Sequence, residues 1–234
     1  MRIHVSLLAM PLLFACAAPA RSTGPAVDAA AVAVQADSFA IHVGVQPFGT
    51  QVVTVQRTDA GFHFRETTMT PVADQTTEVA MSEALAMRSV HQEGRARGQA
   101  MRIDVTYADG RAAGSARVPG PDGMTDVTVD AAVPADVVDD NVLTALLPGM
   151  PWSDGATFDV PVFASGKNTL TTHTLRVTGR EEVIVPAGTF QAYRVEVAGS
   201  QPLVLHVRAA APHTVLRIEV VGTPMTVVRT GAVR

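Results

Sequence analysis

The sequence predicts a mainly β protein: a single antiparallel meander sheet, curled into an open half-barrel, with a short covering helix near residues 136–147. Apolar residues occupy every second position in many short runs, which places them on one face of a strand. Gly, Pro and Asp turn signals separate these runs at short intervals. Because parallel strands need crossovers of a dozen or more residues, the short connections favour antiparallel hairpins.

Four segments show the alternation most clearly, each with one apolar and one polar face. They are residues 39–45, 103–107, 193–197 and 216–220. Weaker copies occur at residues 53–55, 62–64, 127–129 and 203–207. Residues 77–91 mix good helix formers with an alternating start, and we assign them to strand.

One helix is predicted, over residues 136–147, where apolar residues recur at helical spacing. Asp136 or Asp139 can cap its start, and Pro148 ends it. Asp139 and Asp140 then lie in the first turn, where negative charge meets the positive end of the helix dipole. We expect this helix to shield the apolar face of the sheet.

The N-terminus, residues 1–15, has the features of a signal peptide. Arg2 supplies a positive charge, and residues 5–15 form an apolar run broken by Ser6 and Pro11. A membrane-spanning helix needs ~20 apolar residues, whereas a signal core needs roughly 7 to 15. The length therefore indicates export, and the segment is left out of the fold.

Residues 13–16 (LFAC) resemble the lipobox of bacterial lipoproteins, apart from the bulky Phe14. Cys16 is the only cysteine of the chain, so it cannot form an intramolecular disulfide, and it is the predicted lipid attachment site. Ala17 is not the aspartate that retains some lipoproteins at the inner membrane, which favours an outer-membrane anchor facing the periplasm. Plain cleavage after Ala20 is the alternative and would leave a soluble periplasmic or secreted protein.

Residues 16–36 are rich in Ala, Pro and Gly and predict a flexible tether. Residues 37–234 are enough for one β-rich domain with a substantial core. The net charge of −4 and a single lysine, Lys167, argue against a nucleic-acid partner.

Residues 149–197 resemble the exported bacterial family catalogued as domain of unknown function 3108. The most specific part is EEVIVPAGTFQAYRVE, residues 181–196, which predicts a strand, a tight turn and a second strand. Pro186 presets the turn, and Gly188 admits a backbone conformation that a side chain would block. The resemblance implies an open half-barrel similar to that of the carriers that escort lipoproteins across the periplasm. It implies no catalytic residues.

No catalytic motif, cofactor signature or metal-ligand spacing is found in the sequence. His42, His63 and His206 fall on the polar phase of their strands, so we expect them to be solvated. The adjacent pairs Asp139-Asp140 and Glu181-Glu182 do not predict acid–base chemistry, because neighbours on a strand point to opposite faces. We therefore expect a protein that is not an enzyme and needs no cofactor.

Three classes of function are compatible with these features. The first is a module that binds a lipid or another apolar molecule on the concave face of the sheet. Its predicted ligand-binding residues are Phe62, Phe64, Met101, Phe163 and Phe190. The second is a structural or interaction lipoprotein that recruits envelope partners, and the third is a hydrolase whose residues converge only in space.

Overall fold

Fifteen strands form one sheet in the computed structural model, which describes residues 27–32 and 34–233. The first eight are β1 (Gln35–Val43), β2 (Gln46–Thr58), β3 (Gly61–Met69), β4 (Ala73–Met81), β5 (Met87–Ala96), β6 (Gln99–Ala108), β7 (Arg111–Gly120) and β8 (Gly123–Ala132). The others are β9 (Val138–Asp139), β10 (Thr157–Ala164), β11 (Thr169–Val185), β12 (Gly188–Ala198), β13 (Leu203–Arg208), β14 (Val215–Val220) and β15 (Met225–Ala232).

The sheet consists of two meanders joined at its centre. Strands β1 to β8 follow one another in sequence order, as do β15 back to β10, and β1 pairs with β15 in an antiparallel ladder between the two halves. The short strand β9 adds to β10 in the one parallel pairing among the described residues. Strands β8 and β9 form the two edges, so the sheet stays open. The predicted architecture is therefore confirmed.

The alternation places each predicted strand where the structure has one. Residues 39–45 belong to β1 and the turn after it, and the other three clear segments lie within β6, β12 and β14. Residues 77–91 form the end of β4, a turn and the start of β5, as the strand assignment predicted. The alternation succeeds because each strand has one face in the core and the other in water.

The helix lies inside its predicted range but is much shorter, since α1 covers only Leu143–Leu146 and continues into a 3-10 turn at Leu147–Gly149. The expected first turn is wrong, because Asp139 belongs to β9 and Asp140 follows it. Val142 stands at the N-cap and makes no side-chain capping bond. Because no side chain caps a helix here, the backbone of Val138 and Asp139 takes the extended conformation that pairs β9 with β10.

The segment from residue 133 to residue 152 fills the inner face of the sheet. Val142 and Leu147 are fully buried, and Leu146, Met150 and Trp152 are nearly so. All five belong to one core cluster with the inward side chains of both meanders. None of the described helices is long and apolar enough to cross a membrane.

The predicted tether, residues 16–36, reaches into the described part of the protein. The backbone NH of Asp28 donates a hydrogen bond to the carbonyl of Gly149 at 2.8 Å, and Val32 is buried in the core cluster. Strand β1 begins at Gln35. Cys16 and the predicted signal peptide lie outside the described residues.

The turn at Pro186 joins β11 to β12, as the motif predicted. Gly188 has a φ of +134°, a conformation that L side chains rarely adopt. The tip of this hairpin lies over the outer face of β14 and β15: Ala187 donates its NH to the Arg229 carbonyl at 3.4 Å, and Arg217 donates to the Ile184 carbonyl at 3.1 Å. A second, smaller core forms under the tip.

Candidate functional site

Three of the five predicted ligand-binding residues lie in the main core. Phe62 and Phe64 stack on β3 with their ring centroids 6.2 Å apart. Phe163, on β10, is fully buried and meets the ring of Tyr107 edge-on at 6.1 Å. These rings belong to one continuous cluster that the segment 133–152 covers.

The other two predicted residues lie elsewhere. Phe190, near the start of β12, packs against the second core beneath the hairpin tip. Met101, on β6, lines an open groove at one end of β3 to β7. The structure therefore does not bring the five residues together, because their sequence alternation reports burial and not a shared position.

The inner face leaves little room for a ligand in the described part of the chain. The enclosed spaces beside α1 have volumes of about 40 and 10 Å³. A small-molecule site normally needs roughly 300 Å³ or more. A ligand on the inner face would have to displace the segment 133–152.

A buried polar network surrounds Asp139 where β9 faces the opposite wall of the sheet. The Asp139 side chain is fully buried. It accepts a hydrogen bond of 2.5 Å from the Tyr107 hydroxyl on β6. It also accepts bonds from the backbone NH and the side-chain amide of Asn141, at 3.0 and 2.6 Å. Three donors therefore converge on one carboxyl group.

The network continues through Asn141 to three other elements. The Asn141 amide oxygen accepts a bond of 3.2 Å from Gln92 on β5, and Gln92 also donates to Thr77 on β4 at 2.7 Å. The Asn141 nitrogen lies 3.3 Å from the hydroxyl of Ser165 in the 3-10 turn Ser165–Lys167. The network thus connects β4, β5 and β6 with the far edge of the sheet.

The surroundings of Tyr107 and Asp140 favour their protonated forms by raising the pKa of each. Burial raises the pKa of Tyr107, and the charge of Asp139 and its hydrogen bond raise it further. Burial also raises the pKa of Asp140, with the charge of Asp139 and a hydrogen bond between the two carboxyl groups as added causes. Asp140 retains contact with solvent, which moderates the shift, and Lys167 opposes it.

The contact between the two carboxyl groups corrects the expectation that Asp139 and Asp140 point apart. That expectation applied strand geometry to a pair that the sequence otherwise placed in the first turn of a helix. In the structure β9 ends at Asp139, and Asp140 lies in the following turn. The central carboxyl group is closed off from solvent, so a substrate has no route to it. The arrangement joins distant strands and is suited to a structural role.

His206 is a further correction, because it is buried and not solvated. Its Nε2 lies 2.6 Å from a carboxylate oxygen of Glu181, and its Nδ1 lies 3.9 Å from Glu219. The alternation correctly places His206 on the outer phase of β13, but the returning hairpin tip covers that part of the outer face. Sequence periodicity cannot show that a hairpin distant in the sequence packs over the outer face of a strand.

His173, on β11, is also buried, beneath Gly199. A Cβ at Gly199 would come within 2.4 Å of the imidazole ring, so only glycine fits there. The Nδ1 of His173 finds no hydrogen-bond partner among the described residues. Burial lowers the pKa of His173, so the folded protein holds this ring neutral.

We expect His173 to make the protein less stable in mild acid. Below the unfolded pKa of about 6.5, the unfolded chain binds a proton that the folded chain excludes, so the free energy of unfolding decreases as the pH falls. Urea unfolding at pH 7.5 and 5.5 should show a smaller decrease for His173→Gln than for the wild type. Equal decreases would contradict this assignment.

The groove beside Met101 is a large open space with a mostly apolar surface, at about 630 Å³. Strand register aligns two outer rows along it. One row contains Thr67, Thr76, Glu93, Arg102 and Arg117, and the other contains Met69, Asp74, Arg95 and Ala100. It crosses five strands, or about 19 Å at the usual strand spacing.

Charged groups flank the apolar part of the groove. Arg102 pairs with Asp104, and Arg117 donates two bonds to Asp126 at 2.8 and 2.9 Å. Arg95 donates to the carbonyl of Gly98 at 2.9 Å. Sequence reasoning missed this groove because its residues come from five strands, and only the cross-strand register places them side by side.

No metal site emerges from the described residues: no three His, Cys, Asp or Glu side chains among 27–32 and 34–233 are placed to hold an ion. His91 and Asp104 form the nearest approach to such a cluster, 2.6 Å apart on the outer face with Glu93 at 3.7 Å from the ring. Asp104 is already engaged by Arg102, and this pairing accounts for its lowered pKa together with the His91 hydrogen bond.

The chain belongs to the family described as "Protein of unknown function (DUF3108)", whose model matches residues 38–226. A solved structure from Bacteroides fragilis, described as a candidate exported protein with a YmcC-like fold, is similar at 10% identity. The match covers 86% of this chain and 96% of the chain in that structure, with a TM-score of 0.30. A likeness at that TM-score supports no inference. No curated protein matches the chain.

Proposed function

We propose that the protein is an exported, non-catalytic module of the cell envelope that binds a lipid or another apolar ligand in the groove beside Met101. Lipid on Cys16 anchors it in the outer membrane, facing the periplasm. The observation that carries the proposal is the size and lining of the groove, which has a volume of about 630 Å³, with Met69 and Ala100 on its outer rows and the nearly buried Met101 between the rows. Ligand sites are mostly apolar concavities of this size with a few polar groups.

The groove replaces the inner face as the proposed site. The inner face is filled by the segment 133–152, and the spaces that remain are small. The groove instead is open, and its exposed surface is mostly apolar. Arg95, Arg102 and Arg117 line it together with the carboxylates of Asp74 and Glu93. A long-chain fatty acid would lay its acyl chain along the groove, and its carboxylate would share Arg102 with Asp104 or Arg117 with Asp126.

Filling the groove should abolish most of the binding. Ala100 is exposed on the outer face, so Ala100→Trp adds bulk to the groove without disturbing the core. Its affinity for a fluorescent long-chain fatty acid should decrease at least about tenfold, a loss of 1.4 kcal/mol. The matched control is Ala113→Trp, also exposed on the outer face but outside the groove.

The control should bind as tightly as the wild type, and both variants should keep the wild-type melting midpoint. Equal affinity of Ala100→Trp and the wild type would exclude the groove. If the wild type binds no fatty acid at all, and native mass spectrometry finds no lipid that co-purifies, then the binding proposal falls. The second candidate, an interaction lipoprotein, would then take its place, supported by the filled inner face.

A further inference from the structure

The two edges of the sheet differ in how they are protected from other chains. At one edge, the two residues of β9 pair with the end of β10. The rest of β10 contains Pro161, which has no NH to offer a neighbouring strand. A very short edge strand and an edge proline are two of the devices by which proteins prevent unwanted strand pairing. The edge formed by β9 and β10 is therefore protected.

The other edge, β8, has neither device. It extends over ten residues, with no proline, lysine or arginine among them. Its ladder with β7 continues along the whole strand without a bulge. A long, regular edge strand of this kind presents a row of unpaired NH and carbonyl groups to which another strand can bond.

One hydrogen bond shows which backbone groups of β8 point outward. The NH of Asp130 donates to the side-chain oxygen of Asn168 at 3.3 Å, so it points away from β7. In an antiparallel ladder, every second residue points its NH and carbonyl groups to the same side. Met124, Asp126 and Thr128 therefore point theirs to the open side, where nothing in the described part of the chain bonds to them. Asn168 thus covers one position of this edge and leaves three free.

The side chains of β8 determine what a further strand has to carry. On the inner face, Val129 is buried and Val127 packs half-buried against the main core, so the apolar surface continues to the edge. On the outer face, Asp126 and Asp130 are exposed, and β8 has no basic residue to balance them. The edge is therefore apolar on one side and acidic on the other.

The arginines of β7 leave the acidic side open to a further basic partner. Arg117 pairs with Asp126, and Arg111 pairs with Asp130, both from the strand behind. A strand added to β8 would lie on the other side of these carboxylates, about 10 Å from β7. The side chains of Asp126 and Asp130 are still 75% and 62% exposed, and a carboxylate can accept more hydrogen bonds than one arginine donates.

We propose that β8 binds an extended segment of a partner protein as an additional strand, with apolar side chains on its inner face and lysine or arginine on its outer face. The free backbone groups of Met124, Asp126 and Thr128 provide the main-chain hydrogen bonds, and the two carboxylates select the basic side chains. A second copy of β8 fits less well, because it would bring its own carboxylates to the same edge. This inference rests neither on the groove nor on lipid binding.

Fluorescence anisotropy with a synthetic peptide tests the strand addition. The probe is a labelled peptide of about seven residues, within the usual length of a strand, in which lysine alternates with valine. The mature protein should bind it more tightly than the same peptide with glutamate in place of lysine. A version whose NH groups facing β8 are methylated keeps its charge, and its affinity should be at least about tenfold lower because those hydrogen bonds are lost.

Substitutions in the edge strand test the same contact from the protein side. Thr128→Pro removes an NH that points outward and spares the ladder with β7, since proline is accepted at such positions. Its affinity for the lysine peptide should decrease at least about tenfold, whereas Thr128→Ala should bind like the wild type. Asp126→Lys should weaken the lysine peptide and strengthen the glutamate peptide. Glu196→Lys is its matched control, because Glu196 is an exposed, arginine-paired carboxylate on the interior strand β12.

Equal affinity of Thr128→Pro and the wild type would overturn the proposal. Equal affinity of the methylated and unmethylated peptides would also overturn it, and that comparison needs no substitution in the protein. The same holds for a wild type that binds neither peptide, and for a wild-type dimer that Thr128→Pro dissociates, since β8 would then pair with a second copy. Ala100→Trp should bind the lysine peptide like the wild type, so failure of the groove and failure of the edge are distinguishable.

Discussion

Asp139→Ala should lower the free energy of unfolding by at least about 2 kcal/mol. The substitution removes the acceptor of the Tyr107 hydroxyl and of the two Asn141 NH groups. Each buried donor left without a partner costs roughly 1–3 kcal/mol. Urea unfolding measures the loss as a lower midpoint at constant slope.

Asp139→Asn is the matched control, because it keeps the size of the side chain and removes its charge. It retains one carbonyl oxygen that can accept from Tyr107, so we expect a smaller loss than for Asp139→Ala. A result for Asp139→Ala within about 0.5 kcal/mol of the wild type, the range of surface substitutions, would contradict the structural role of the network. It would also show that β9 is held by its pairing with β10 alone.

The strands were predictable because alternation is a local signal. Ile103 and Val105 on β6 are inward because they are two positions apart, and no distant residue is needed to know it. The turn at Pro186 is local in the same way, and Gly188 has the positive φ that its place in the motif predicted. These features follow from residues within one hairpin.

The helix and the polar network were less predictable because they depend on distant partners. The periodicity at residues 136–147 is equally consistent with a helix and with an irregular segment buried on both sides. The pairing of Val138 with Val162 decides in favour of a short strand. Asp139 likewise meets Tyr107, 32 positions away, only when the sheet curls.

The groove shows the same dependence at the surface. Met101 was predicted as a ligand residue for its apolar character, and it lies on the inward phase of β6 at the edge of the groove. Met69 and Ala100 come together on the outer face only through three strand pairings. The groove is therefore not encoded in one contiguous segment.

Leu147→Ala should destabilise the protein by about 2–5 kcal/mol, the usual cost of truncating a fully buried leucine. Leu147 is completely buried and belongs to the main core cluster, at the point where the segment 133–152 packs against the inner face. Its carbonyl also accepts a bond of 2.8 Å from the Trp152 indole. The truncation removes apolar contacts but leaves this backbone bond in place.

The exposed Leu170 is the matched control, since it is 42% exposed at the start of β11. We expect Leu170→Ala to change the free energy of unfolding by about 0.5 kcal/mol or less. If Leu147→Ala behaves like Leu170→Ala, then the segment 133–152 packs weakly and can leave the inner face. In that case Leu147→Ala should also bind fatty acid in the presence of Ala100→Trp, and the ligand site would return to the concave face. A large loss of stability, with fatty-acid binding abolished by Ala100→Trp alone, instead places the ligand in the groove.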